Sequence, residues 1–170
     1  MTVKLMGALL VVGGCGGFGF AMAAAHRREE AVFRQYLIAL EFMECELSCR
    51  LTPLPQLCQC TAGVVKGPIQ ELFAALCREL EQQLLPDAEL CAHAALASVK
   101  GFSQEFRSQF LELGQTLGRF DLSGQLKGLE RAAQRTKGSL AALEENRTAR
   151  IRSYQTLGLC AGAALAILFI

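Results

Sequence analysis

Apolar residues recur at intervals of three and four along the middle of this chain, and no stretch alternates with the period of two expected of a strand. Five stripes with this spacing predict the buried sides of helices: Val32, Tyr36, Leu40, Met43, Leu47 and Leu51; Ile69, Leu72, Phe73, Leu76, Leu80 and Leu84; Leu90, Ala94 and Ala97; Phe106, Phe110, Leu113, Leu117 and Phe120; and Leu126, Leu129, Ala133, Thr136, Leu140 and Leu143. The pattern predicts an all-α domain.

Proline and aspartate divide these stripes into separate helices. Thr52 is expected to cap a short helix with Pro53 at its first position, where the missing N–H of proline costs nothing. Asp87 and Asp121 are expected to cap two later helices. From Leu122 no proline interrupts the chain, so one helix of more than 40 residues can continue into the C-terminal segment. Short helices joined by short breaks favour an antiparallel up-and-down bundle.

Both ends of the chain are apolar, over Leu5–Ala25 and Ser153–Ile170. A helix rises about 1.5 Å per residue and the hydrocarbon core of a bilayer is about 30 Å thick, so both segments can span it, the second only just. We expect a transmembrane helix over 1–26, a helical bundle over 27–152 and a transmembrane helix over 153–170 that continues the last bundle helix. Each apolar segment holds a G-x-x-x-G pattern that permits close helix packing: Gly13 with Gly17, and Gly158 with Gly162.

The charges beside these segments predict their orientation. Basic side chains cluster at the inner edge of both: His26, Arg27 and Arg28, and Arg147, Arg150 and Arg152. Because Lys and Arg are retained on the cytoplasmic side, we expect a two-pass protein of the cell membrane with a cytoplasmic domain. An alternative stays open, since 21–25 resembles a signal-peptidase site and 12–15 loosely resembles a lipobox. Cleavage or lipidation there would make the chain an extracytoplasmic, disulfide-bonded binding protein of the envelope.

Eight cysteines bear on that alternative and on metal binding. Six lie between the apolar ends: Cys45, Cys49, Cys58, Cys60, Cys77 and Cys91. A zinc site built from the first four is conceivable, but their C-x-x-x-C and C-x-C spacings differ from the usual C-x-x-C pairs, and no histidine lies nearby. Free thiols in a reducing compartment, packed as small apolar residues, fit better. No metal or cofactor is therefore expected.

Catalytic motifs are missing from the sequence. It holds no G-x-x-x-x-G-K-[ST], G-x-S-x-G or H-E-x-x-H, and its two histidines, His26 and His93, have no catalytic surroundings, so we do not expect an enzyme. The formal charge of +1, with acidic and basic residues balanced in the middle region, argues against a nucleic-acid partner. Glu41, Glu44 and Glu46 form an acidic stretch that is expected to face solvent or a protein partner.

Two stretches carry a more specific signal. The first runs from Leu40 to Leu47 and leads into Thr52-Pro53-Leu54-Pro55, and the second has the pattern L-G-x-x-L-G-x-x-D-x-x-x-Q from Leu113 to Gln125. Together with the apolar ends, they closely resemble the stage III sporulation protein AB family of endospore-forming bacteria, over essentially the whole chain. The residues matching these motifs are expected to be structural: Thr52, Pro53 and Leu54 at a helix start, Gly114, Leu117 and Gly118 at a close-packed helix end, and Asp121 and Gln125 at the next helix start.

This resemblance implies a role in the sporulation channel between mother cell and forespore. It implies a domain similar to the cytoplasmic helical domains of the type II secretion F platform proteins, beside a secretion-type ATPase. The implied partners are that ATPase, other channel membrane proteins and membrane lipid, and a homo-oligomer stays open. On this hypothesis, Glu41, Glu44 and Glu46 contact the ATPase from the mother cell cytoplasm.

Overall fold

The computed structural model describes residues 27–82, 87–118 and 121–169, with side chains as far as residue 145. These residues form six helices and no strand, which confirms the all-α prediction. The helices are α1 (27–50), α2 (Leu54–Val64), α3 (Pro68–Gln82), α4 (Ala88–Ser98), α5 (Gln104–Thr116) and α6 (Leu122–Phe169). Helices α2 to α6 each pack on the next one along the chain, so the fold is a helical bundle.

The first and last helices lie side by side and run in opposite directions. Arg34 of α1 pairs with Glu144 of α6 at 2.9 Å, and Glu41 of α1 pairs with Lys137 of α6 at 3.3 Å. The residue numbers rise along α1 while those of its partners fall along α6. The first and last helices of the domain are therefore antiparallel neighbours.

Helix α5 packs against both of these helices and is antiparallel to α6. Gln109 contacts Ser139, whereas Thr116, two turns further along α5, lies against Gly128. Aromatic rings join α5 to α1, because the rings of Phe106 and Phe110 in α5 both pack against the ring of Tyr36 in α1, with Phe106 the closer of the two. Helices α1 and α5 therefore run parallel to each other, and both oppose α6.

The core is apolar and contains most of the predicted stripe residues. Fully or almost fully buried members include Tyr36, Leu40, Met43, Ile69, Leu72, Phe73, Leu76, Phe106, Phe110, Leu113, Leu117 and Leu129. Leu84 and Phe120 lie outside the described residues. The prediction for Leu51 is wrong: its side chain is 66% exposed, because α1 ends at residue 50 and Leu51 adopts a left-handed conformation with φ of 54°.

The predicted face of α4 is also wrong. Leu90 is 44% exposed, Ala97 is exposed and Ala94 is only half-buried, whereas the neighbouring positions form the buried face. That face consists of Cys91, Ala92, Ala95 and Leu96, followed by Val99 after the helix. The helix is rich in alanine all round, so the sequence offers little contrast between its two sides.

The helix caps match the predictions in part. Helix α2 begins one residue later than expected, with Pro53 at the N-cap, and the Thr52 hydroxyl instead lies 3.4 Å from a carboxylate oxygen of Glu46. Asp87 does occupy the N-cap of α4, but its side chain makes no capping hydrogen bond. Asp121 caps α6 as predicted, since its carboxylate accepts the N–H of Gly124 at 3.2 Å.

Of the two apolar end segments, only the C-terminal one lies among the described residues. The N-terminal segment, with Gly13 and Gly17, lies outside the described residues. At the other end α6 continues unbroken to Phe169, which confirms the prediction of one long helix. Gly158 and Gly162 lie within this helix. Among the described residues, no helix is both long and apolar enough to cross a membrane.

Candidate functional site at the motif end of the bundle

The two family-like motifs meet at one end of the bundle. Leu54 begins α2, and its Cδ2 atom lies 3.7 Å from the place that a Cβ would occupy on Gly118, just after α5. Leu117 beside it is buried. We call the residues 51–54, 114–118 and 121–125 the motif end. Because α6 begins there and runs away from it, the motif end is the end of the bundle opposite residues 27 and 145.

Gly118 has a conformational role. Its φ of +77° lies in the left-handed region, which a residue with a side chain rarely adopts, and the N–H of Leu117 closes α5 by donating to the Leu113 carbonyl at 3.1 Å. An added Cβ would find only an ordinary van der Waals contact with Leu54. The expectation that Gly118 is a close-packing position is therefore wrong, since its backbone conformation is what requires glycine.

Gly114 is a true close-packing position. A Cβ there would lie 2.8 Å from the Cβ of Ala92 and 3.4 Å from the Cα of Glu89 in α4. Real Cβ atoms essentially never come so close to a neighbouring carbon. The small residues at 114 and 92 thus let α4 and α5 approach each other, as expected for Gly114.

Asp121 holds the start of α6. Besides the N–H of Gly124, its carboxylate accepts the hydroxyl of Ser123 at 2.8 Å, and its carbonyl accepts the N–H of Gln125 at 3.0 Å. A negative charge at a helix N-terminus is also favoured by the helix dipole. The D-x-x-x-Q part of the motif therefore forms the start of α6.

The three glutamates proposed to bind a partner do not share one edge. Glu41 faces Lys137 on α6, whereas Glu46 faces the start of α2, where Arg50 and Thr52 lie 3.4 Å from its carboxylate. The Glu46 side chain is only 16% exposed, and Glu44 is half-buried. Since residues two apart on a helix differ by about 200° in direction, Glu44 and Glu46 point to different sides of α1. Their partner-binding role stays a prediction.

The six described cysteines are free thiols in two different settings. Cys58, Cys77 and Cys91 are buried, and burial raises the pKa of Cys58 to about 12, so its thiol stays protonated and packs as an apolar group. Cys45, Cys49 and Cys60 are exposed. In the described part of the chain, no three metal-ligating side chains come together. The zinc hypothesis for the first four cysteines thus finds no cluster to support it.

A buried polar network between α5 and α6 escaped the sequence reasoning. The Ser139 hydroxyl accepts a hydrogen bond from Gln109 Nε2 at 2.8 Å and donates to Glu105 Oε1 at 2.5 Å. Thr136 Oγ1 lies 3.3 Å from Gln109 Oε1 and donates to the Ala132 carbonyl at 2.8 Å. Gln109, Thr136 and Ser139 are all buried. The only hint in the sequence was Thr136 within an otherwise apolar stripe.

An open groove runs beside this network, and it contains no nucleophile–base arrangement. It is lined by Gln109, Glu112, Leu113, Thr116, Gly128, Glu130, Arg131, Ala132, Gln134 and Arg135. Glu112 and Arg135 pair with each other across it. His93 is an exposed residue on α4 and does not line it.

Comparison with known proteins decides the family. The model of the stage III sporulation protein AB family matches residues 4–170. This chain belongs to that family. The stage III sporulation protein AB of Bacillus subtilis (strain 168) is 28% identical over 172 residues, which cover 98% of each chain. A solved stage III sporulation protein AB has the same fold, with a TM-score of 0.64 and 24% identity, covering 72% of this chain and 98% of that one. In this member of the family, the two motifs meet at one end of the bundle.

Proposed function

We propose that this chain is a membrane platform component of the channel complex between mother cell and forespore, where it binds and positions a secretion-type ATPase. The chain acts by binding rather than by catalysis. Its apolar ends insert into the cell membrane as two transmembrane helices, and the bundle lies in the mother cell cytoplasm. Family membership supports the link to sporulation.

One structural observation carries the membrane part of the proposal. The ion pairs of Arg34 with Glu144 and of Glu41 with Lys137 hold α1 and α6 side by side and antiparallel. The beginning of α1 and the C-terminal half of α6 therefore leave the bundle at the same end. This arrangement is what a two-pass hairpin requires, because both apolar segments must enter the same face of one membrane.

The same geometry gives the bundle a direction. The motif end lies opposite the proposed membrane, and α6 rises by about 1.5 Å per residue from Asp121 towards Phe169. A partner that pushes on the motif end acts on the start of a helix that has no break before its last residues. In this proposal α6 transmits force from an ATPase to the membrane assembly.

Labelling of thiols in sporulating cells tests the location of the domain. Cys60 is exposed on α2 and is a better target than the buried Cys91. We expect a membrane-impermeant maleimide to label the wild-type chain more than Cys60→Ser only after the cells are permeabilised. The same difference in intact cells would overturn the cytoplasmic location and would favour an extracytoplasmic domain.

Charge reversal tests the contact with the ATPase. Glu44→Lys is expected to weaken binding of the purified ATPase by up to about fivefold, the upper end of the range for a charge pair at a protein surface, and to lower sporulation efficiency. Glu44 suits this test better than Glu46, whose contacts with Arg50 and Thr52 make its substitution a change to the end of α1 as well. Glu130→Lys, at an exposed position on α6, is the matched control. Unchanged binding and sporulation in Glu44→Lys would remove Glu44 from the interface.

A further inference from the structure

Two exposed thiols lie one turn apart on α1. Cys45 and Cys49 are both exposed, near the C-terminal end of the helix. Side chains four residues apart lie on the same face of a helix, with Cβ atoms about 5–6 Å apart. Charge repulsion from Cys49 raises the pKa of Cys45, as expected of two neighbouring sulfurs on one helix face.

This spacing disfavours a disulfide between them. A disulfide needs Cβ atoms about 3.5–4.5 Å apart, which the regular helix does not provide. Two sulfurs that bind the same ion lie further apart than the two sulfurs of a disulfide, because each metal–sulfur bond is about 2.3 Å long. The helix thus presents two sulfur ligands at a separation that suits a bridging ion.

We propose that Cys45 and Cys49 form a two-thiolate site for a soft monovalent cation of the Cu(I) class. Thiolates select soft ions, and the absence of a third ligating side chain in the described part of the chain disfavours zinc, which takes four ligands. On binding, each thiol releases its proton to solvent, two sulfur–metal bonds form, and the ion keeps its oxidation state. The complex of one monovalent cation with two thiolates carries one net negative charge.

The other described cysteines offer a contrast within the same chain. Cys60 is equally a free, exposed thiol, but its neighbours four residues away on α2, Gln56 and Val64, supply no sulfur. Cys58, Cys77 and Cys91 are buried, and burial raises the pKa of each. Only the pair on α1 combines exposure with a second sulfur on the same helix face among the described residues.

Competition with a chromogenic Cu(I) chelator tests the site on the purified, reduced, full-length chain. Wild type and Cys60→Ser are expected to bind one more equivalent of Cu(I) than Cys45→Ser or Cys49→Ser. Each of these two substitutions should lower the affinity for the additional Cu(I) ion about a hundredfold or more, because in the wild-type chain the second thiolate acts at a high effective concentration. Circular dichroism should show the same helix content in all four proteins.

The outcomes separate the site from its alternatives. X-ray absorption should find two sulfur neighbours around the extra ion, and both single variants should lose it. The proposal is overturned if Cys45→Ser and Cys49→Ser bind Cu(I) like wild type, or if Cys60→Ser loses as much as they do. Zinc binding by wild type at the same affinity would also overturn it. None of these results depends on the proposed platform function.

Discussion

Two of the interfaces that α5 makes, with α1 and with α6, consist of different kinds of side chain. Towards α1 it presents rings: Phe106 lies 5.7 Å from Phe33 and 5.0 Å from Tyr36, each in an edge-to-face arrangement. Towards α6 it presents hydrogen-bonding groups and a close approach of Thr116 to Gly128. One helix therefore has an aromatic side and a polar side.

This difference indicates that the aromatic side contributes mainly to stability and the polar side mainly to the register of the helices. Aromatic burial contributes much to stability, but the hydrophobic effect behind it is non-directional and does not by itself fix a register. Hydrogen bonds between buried groups fix a register, because a helix moved by one residue would leave Gln109 and Ser139 without their partners. The polar side thus sets the position of α6, the helix that continues to Phe169, relative to the rest of the bundle.

Removal of the central hydroxyl of the polar side should have the largest effect. Ser139→Ala leaves the buried Nε2 of Gln109 without its acceptor and removes the donor to Glu105. We expect a loss of about 1–3 kcal/mol in the free energy of unfolding, measured by urea denaturation. Ser108→Ala on the exposed face of α5, where the hydroxyl bonds only to its own helix at Glu105 O, should change little. Equal effects of the two substitutions would show that the network does not hold α6.

The close approach of α5 and α6 predicts opposite effects at two glycines of the same helix. A Cβ on Gly128 would lie 2.9 Å from Thr116 Oγ1 and 3.0 Å from its Cβ, whereas a Cβ on Gly138 would meet nothing within 4 Å. Gly138→Ala should stabilise the protein by up to about 1 kcal/mol through helix propensity. Gly128→Ala should destabilise it, because overpacking costs about 1–3 kcal/mol. Thermal unfolding of both variants measures the difference, and stabilisation by both would refute the tight contact.

The sequence predicted these two interfaces unequally. The stripe from Phe106 to Leu117 stands out because large apolar residues recur every three or four positions among polar ones. All four of its described members are buried. The face of α4 was missed because alanine occupies both sides, so burial there depends on the approach of Gly114 to Ala92. The polar network was also missed, because Gln109 and Ser139 resemble surface residues until another helix covers them. Periodicity reports the size and polarity of side chains, and it cannot report which helix lies opposite.

The aromatic side predicts the smallest effect, with the opposite sign. Tyr36 is fully buried among rings, and its hydroxyl is the buried side-chain polar atom without a hydrogen-bond partner in the described part of the chain. Tyr36→Phe should raise the free energy of unfolding by up to about 1 kcal/mol, because an unpaired buried hydroxyl costs more than it contributes.

Alkaline unfolding separates this cause from better ring packing. Burial raises the pKa of Tyr36, with a smaller contribution from Glu112, so the folded chain keeps the phenol protonated where the unfolded chain loses the proton. The stability due to this group is complete below the unfolded pKa of about 10 and falls as the pH rises above it. The advantage of Tyr36→Phe over wild type should therefore grow above about pH 10. A difference in the free energy of unfolding that stayed constant above pH 10 would mean that the Tyr36 hydroxyl is hydrated or hydrogen-bonded. Water would then reach the interface between α1 and α5.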